Sequence, residues 1–240
     1  MPASRPISVI IPCWQDDLAL EALLARLNDL AQRARQRMQL LVVDAANSAN
    51  CQQICQQYGA QWLVATPCRG EQLRLGAAHA QHLTLWFLHA DAQLRGNPLV
   101  ELQAVMASGA VGGFFTFRFS GPPCWQSRVL EWLISWRNQF GIPYGDQGLF
   151  VERSAYQACG QHSPWPLFEE VALVKNLRSL GAFRRIDHGL LVDPRRWQRD
   201  GWWKRSLLNR LLALAHACGV SAFALARLYQ RNCSSQSLTP

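Results

Sequence analysis

The chain has 240 residues, 49% of them hydrophobic and only 17% charged, with 10 tryptophans and a formal net charge of +8. That length suits one domain, or one domain with an appendage, and the apolar fraction is ample for a core, which excludes a disordered chain. The surplus of 24 Lys and Arg over 16 Asp and Glu favours anionic partners, nucleotide phosphates or an acidic membrane face. Nucleic acid is not expected, because a long basic tract and the RNP, zinc-finger and helix-turn-helix signatures are missing.

In chain order, the β-branched run Ile7–Ile11, ended by Pro12, predicts a buried strand, and Leu20, Leu23, Leu24, Leu27 and Leu30 then recur at helical spacing. Leu40–Val43 predicts a second strand closing on Asp44, Ser48–Tyr58 a helix ending at Gly59, and Gln61–Ala65 a third strand. A helix over Gln72–Gln81 leads to a fourth strand, Leu83–Leu88. Short apolar strands separated by helices of ordinary length mean βαβ units and a parallel sheet. Beyond His89–Asp91 the rhythm changes: Gly112–Phe119 (GGFFTFRF) alternates like a half-exposed strand, and Trp125–Phe140 is a Trp-rich helix. YGDQGLFV, an acidic-started helix from about Phe168 to Leu180, and a strand near Leu190–Val192 ending in DPRRW follow. The expected organisation is an α/β domain over 1–200 and a helical extension over 201–240.

The eight cysteines are scattered without a C-x-x-C pair, mostly among apolar residues, where a thiol acts as a small hydrophobe; Cys51 and Cys55 share a helix face and are expected to pack. Reduced thiols, with an N-terminus lacking the pattern of a secretory leader, predict a cytoplasmic location. Leu211–Ala226 carries no formal charge but falls short of the roughly 20 apolar residues of a membrane span. Trp202, Trp203, Lys204 and Arg205 just ahead of it form an aromatic-cationic cluster that favours a peripheral contact at the inner face of the plasma membrane. The sequence favours, ahead of that contact, a packed amphipathic helix with a solvated basic end.

Ligands of a parallel α/β sheet bind at the carboxyl ends of its strands, and three such ends here carry polar residues: Asp44, His89–Asp91 and the 193–197 segment. Asp44 is placed to accept a hydrogen bond from a base or ribose, or to act as a turn or N-cap aspartate. A dinucleotide-binding oxidoreductase needs G-x-G-x-x-G after the first strand, and that turn reads PCWQDD. A nucleotidyltransferase of similar fold usually carries a glycine- and lysine-rich N-terminal loop, which is missing here.

The order IIP, VVDAANSAN, CRGEQLRLGAA and LWFLHADAQL resembles the nucleotide-binding half of family-2 glycosyltransferases, whose fold is GT-A. The later blocks GGFFTFRF, YGDQGLFV, PLFEEVAL and RRW resemble a bacterial subgroup often found beside radical-SAM and selenium- or arsenosugar-related genes. The resemblance implies a nucleotide-sugar donor and a hydroxyl acceptor, a small molecule or a lipid-linked one. It implies that Pro12, Asp44, Arg69, Gln72 and His89 lie along the donor, Asp44 on the nucleobase, with His89 in place of the first Asp of D-x-D. Asp91 would hold the Mg²⁺ or Mn²⁺ that bridges the diphosphate, since hard cations suit carboxylate and phosphate oxygens. Glu170, with Glu169 as its alternate, would be the general base of an inverting displacement.

The resemblance also implies sugar or acceptor contacts from Asp146 and Gln147, where the alternative is a turn shaped by Gly145 and Gly148. Arg195 and Arg196 would pair with phosphate and Trp197 would stack on sugar or base; a surface basic turn with a buried tryptophan is the alternative. The usual VVDGGSTD turn reads VVDAANSAN, so both glycines and the second aspartate are lost, and the asparagine of the R-G segment is Arg74 or Leu75. A degenerate relative acting as a nucleotide-sugar or membrane-surface binding module is therefore the rival. His79 and His82 are expected on a helix surface and His188 in a loop.

Overall fold

The structure, a computed structural model, describes residues 5–234. The end of the expected 201–240 extension, and the side chains of Phe140 and residues 230–234 including Cys233, lie outside what is described.

Four strands, β1 (Ile7–Cys13), β2 (Met38–Asp44), β3 (Gln61–Val64) and β4 (Thr84–Phe87), alternate with helices α1 (Asp17–Ala34), α2 (Ala49–Gln57) and α3 (Arg69–Ala78). β2, β3 and β4 join β1 as a parallel sheet, as the short apolar runs predict. β1 runs one residue past Pro12, which pairs with Val43. All five leucines of the predicted α1 stripe are buried, and Cys51 and Cys55 pack under α2 in the same core. Glycine at 76 lets α3 press on the sheet, since a Cβ there would lie 2.4 Å from Ile10 Cγ2.

The remainder reverses direction. After β5 (Gln93–Leu94) and α4 (Pro98–Ala107), β6 (Gly112–Phe115) is followed by α5 (Trp125–Phe140), a 3₁₀ turn at Gly145–Gln147, β7 (Phe150–Glu152) and α6 (Arg153–Ala158). Helix α7 (Val171–Leu180), β8 (Phe183–Ile186), β9 (Leu190–Leu191), α8 (Arg195–Asp200), α9 (Trp202–Ala217) and α10 (Ala222–Ser234) complete the chain. The sheet order is β3-β2-β1-β4-β7-β6-β8, with β7 antiparallel to both neighbours. The mostly parallel seven-stranded sheet, flanked by helices, is the expected α/β architecture.

Two expectations need correction. GGFFTFRF is not one half-exposed strand: β6 stops at Phe115, and Phe114, Phe115, Phe117 and Phe119 are all buried. Both faces are covered because Phe114 stacks on Phe183, Phe115 meets Phe150, and Phe117 with Phe119 joins a separate aromatic cluster around Trp197. The acidic-started helix begins only at Val171, because Phe168 sits in the left-handed region at φ 62°, which a helix does not continue through.

A second sheet of two strands pairs β5 with β9 in antiparallel register, Gln93 with Leu191 and Leu94 with Leu190. It fastens the segment just after Asp91 to the segment just before Arg195, and so brings those two side chains together. Among the described residues of the extension, Leu212 of α9 and Leu225 of α10 are buried with Phe168.

Candidate active site

The donor-side strand tips are organised from within. Asp44 is fully buried; one carboxylate oxygen accepts the Ala46 N–H (2.8 Å), and the other accepts the Ser48 N–H (2.7 Å) and the Trp62 indole N–H (3.3 Å). The carboxylate expected on a nucleobase is thus turned onto its own loop, which it holds without the two missing glycines. Gln72 is likewise buried, and its amide donates to the carbonyls of Cys13 (3.1 Å) and Val43 (2.7 Å). It clamps the ends of β1 and β2. Pro12 is half-buried beside this clamp.

Arg69, the first residue of α3, pairs with Glu169 at 2.5 Å, and the Glu169 side chain is almost wholly buried. Burial alone would raise the Glu169 carboxyl, but the charge and hydrogen bond of Arg69 more than offset it, and the group is held below the usual range. Gly70 makes the approach possible: a Cβ there would meet the Ser163 carbonyl at 1.9 Å and the Trp165 nitrogen at 2.7 Å. Gly70→Ala is therefore expected to push the 163–170 loop off α3 and cost about 1–3 kcal/mol. A fall in thermal midpoint checks this; a midpoint unchanged within error contradicts it.

Glu170 is buried with a different outlook. Gly145 N–H donates to one of its oxygens at 3.2 Å, and the other has no partner among the described residues. Burial, then the negative charge of Glu169, push its carboxyl up to about 8, against the pull of Arg69. The two glutamates have separate environments: Glu169 is neutralised by arginine, whereas Glu170 borders a cavity. The positive φ at Phe168 turns the chain into this pair, and the Phe168 ring stacks on His216 at 4.7 Å.

That cavity, of about 290 Å³, is bordered by Arg69, His89, Asp91, Asp146, Glu170 and Arg196 on its polar side. Phe117, Leu130, Leu133, Ile134, Leu167, Phe168 and Leu212 form much of the rest of its wall. Burial and the nearby Arg69 lower His89 to about 4, and burial raises Asp146 to about 6. One Asp146 oxygen is buried without a partner among the described residues.

Asp91 is reached by Arg195 at 3.3 Å, and the same guanidinium reaches Asp16 at 3.2 Å and Asp193 at 3.4 Å. Burial works to raise the Asp91 carboxyl, but His89, Arg196 and Arg195 beside it keep it below its ordinary value, hence ionised. Among the described residues, the one group bringing three ligand atoms within 4.8 Å is Cys13, Asp17 and Cys51, away from the cavity wall. Among the described residues no carboxylate cage is preformed around Asp91. That fits a hard cation held by one carboxylate plus diphosphate oxygens, the usual arrangement for Mg²⁺ at a nucleotide.

Several predicted residues are placed otherwise. Gln147 is buried and accepts a short hydrogen bond from Asn138 instead of facing the cavity, since neighbours in a 3₁₀ turn point about 120° apart and Asp146 takes the cavity side. Trp197 is buried, T-shaped to Phe119 at 5.0 Å, and donates to Ser206 at 3.2 Å, while still bordering the cavity. The sequence reading missed Asp16, Arg137 and Tyr144, and took Asp193 only as part of the 193–197 strand end. Arg137 lies 4.6 Å over the Tyr144 ring on the cavity wall, and its position in the Trp-rich helix was the available signal.

The architecture recurs in solved glycosyltransferase structures of low identity. Glucosyl-3-phosphoglycerate synthase from Mycobacterium tuberculosis, crystallised with Mn²⁺, UDP and glucosyl-3-phosphoglycerate, is 17% identical with a TM-score of 0.59, over 91% of this chain and 82% of that one. Mannosyl-3-phosphoglycerate synthase from Rubrobacter xylanophilus is 15% identical with a TM-score of 0.56, over 86% of this chain and 74% of that one. S. aureus TarS 1-349 in complex with UDP-GlcNAc is 12% identical with a TM-score of 0.54, over 78% of this chain and 58% of that one. These likenesses show the GT-A fold. No match emerges among curated proteins. Residues 8–158, well over half of the chain and spanning the strand tips from β1 to β7, match Glycosyl transferase family 2, and the chain belongs to that family.

Proposed function

We propose that this chain moves a sugar from a nucleoside-diphosphate donor to a hydroxyl acceptor by single displacement with inversion. The observation that carries the reading is that Asp91 and Glu170 border one cavity, with Arg69, His89, Asp146 and Arg196 in the same wall. Glu170 takes the proton of the acceptor hydroxyl on its unpartnered oxygen; that hydroxyl oxygen bonds the anomeric carbon, and the bond from that carbon to the diphosphate breaks. Arg69, fixed by Glu169, keeps a positive charge at the cavity wall, and Arg196 adds a second beside the departing phosphate. Asp44 acts on the base through the turn it holds, and Gln72 by fixing the tips of β1 and β2 beneath it.

When bound at Asp91, Mg²⁺ or Mn²⁺ would supply charge neutralisation for the leaving diphosphate. Arg195 occupies that carboxylate in the structure and gives way by keeping its bonds to Asp16 and Asp193. The Mn²⁺ and UDP in the crystal of glucosyl-3-phosphoglycerate synthase support this choice. The proposal includes a cytoplasmic setting and the bacterial subgroup associated with radical-SAM and selenium- or arsenosugar-related genes.

A nucleotide-sugar panel, assayed for Mn²⁺-dependent release of nucleoside diphosphate, tests the reading. Release from at least one sugar, abolished by chelator, is expected; metal-dependent binding with no release from any donor or to any acceptor would instead establish the binding module.

A further inference from the structure

The outward face of α5 carries Trp125, Val129, Trp132 and Trp136, at helical spacing, with the three tryptophans 63%, 66% and 61% exposed. The opposite face of the same helix is apolar as well, since Leu130, Leu133 and Ile134 line the cavity. A helix apolar on both sides, with one side bare, is unusual for a water-facing surface. Helix α9 repeats the pattern: Trp203, Leu207, Leu211 and Leu214 are exposed outside, while Leu212 and Ala213 face the cavity. Trp125 and Trp203 meet with ring centroids 5.6 Å apart and join the two outer faces, and α10 adds exposed Phe223 and Leu228.

The charges around this face select the partner. From Trp202 to the end the sequence contains no aspartate or glutamate, and Lys204, Arg210 and Arg227 are exposed, as is Arg128 on α5. The single acid of α5, Glu131, is turned away, bonded to Arg118 at 3.0 Å and to the Phe119 N–H at 2.8 Å. Tryptophans interleaved with bare leucines and cations, with no competing acids, match the headgroup level of a bilayer carrying negative charge. No helix among the described residues is long and apolar enough to cross a membrane.

We infer that the outer faces of α5, α9 and α10 together dock on an anionic phospholipid bilayer, so that the two helices walling the cavity lie at the lipid surface. Helix α5, in the middle of the chain, contributes as many exposed apolar side chains to this face as α9. With the proposed transferase reading, on which this last step alone rests, the acceptor hydroxyl belongs to a lipid, whose apolar part meets Leu130, Leu133 and Ile134 while its hydroxyl reaches Glu170.

Flotation of the full chain with vesicles tests the docking without an acceptor. Partition onto vesicles of phosphatidylcholine with phosphatidylglycerol is expected to exceed that onto phosphatidylcholine alone by roughly tenfold and to weaken in high salt. Trp132→Glu with Trp136→Glu is expected to lose it, and Arg128→Glu with Lys204→Glu to lose the preference for negative lipid. Leu207→Gln with Leu211→Gln serves as a second apolar pair if the first melts early by circular dichroism. Retained partition in a folded apolar variant overturns the proposal. Two further results do the same: wild-type protein that ignores anionic vesicles, or a wild-type dimer that these substitutions dissociate. Binding of UDP with Mn²⁺, measured on the same variants, is expected to be unchanged, so failure of docking and failure of the transferase reading are read separately.

Discussion

Glu170→Gln is expected to lower turnover by about 10²–10⁴-fold while leaving nucleoside-diphosphate binding intact, the signature of a lost general base. The amide fills the same space and still accepts the Gly145 N–H, so the loss reads on chemistry rather than on folding. The pH dependence gives an independent check. A base works ionised, and burial with the Glu169 charge raises Glu170 to about 8, so kcat/KM is expected to climb as pH rises through that value and to fall below it. A bound cation favours the ionised form and moves this limb downward. If Glu169→Gln removes turnover while Glu170→Gln retains it, the roles are exchanged; unpairing Arg69 by Glu169→Gln is otherwise expected to show chiefly in stability.

Asp91→Ala is expected to remove the Mn²⁺-dependent part of nucleoside-diphosphate affinity, at least about 100-fold, since loss of a direct ligand exceeds the 10–100-fold cost of a lost outer-shell partner. The protein itself stays folded, because Arg195 keeps Asp16 and Asp193, and a partly exposed ion pair contributes at most about 1 kcal/mol. Titration calorimetry with UDP and GDP, each with and without Mn²⁺, separates the outcomes. Equal affinities in wild type and variant would reduce Asp91 to a surface partner of Arg195.

The first half of the fold is legible because its strands are buried on both faces and separated by helices with clean leucine stripes, so period and length alone identify them. Beyond Asp91 the elements are short and their partners distant: β7 has three residues, β5 and β9 two each, and no local pattern marks such pieces. The alternation of GGFFTFRF misled because a period of two reports a half-exposed strand only when one face meets water, and here aromatic rings cover both. Asp91, Arg69, Glu170 and Arg196 were recognisable by their place in motifs, and all border the cavity. Asp44, Gln72 and Gln147 stand in the same motifs, but side-chain direction is set by tertiary packing, and these three brace the site from behind. Arg195's convergence on Asp16, Asp91 and Asp193 depends on the β5–β9 pairing, which joins segments nearly a hundred residues apart and leaves no local trace.

The central claim is that a divalent cation with a nucleoside diphosphate sits against Asp91, in a cavity that Glu170 also borders. Anomalous diffraction from crystals soaked with Mn²⁺ and UDP measures this directly. The expected map has a manganese peak beside the Asp91 carboxylate, Arg195 moved aside, and phosphate density within reach of Arg196. A peak confined to Cys13, Asp17 and Cys51, or a nucleotide bound away from the cavity, would contradict the account.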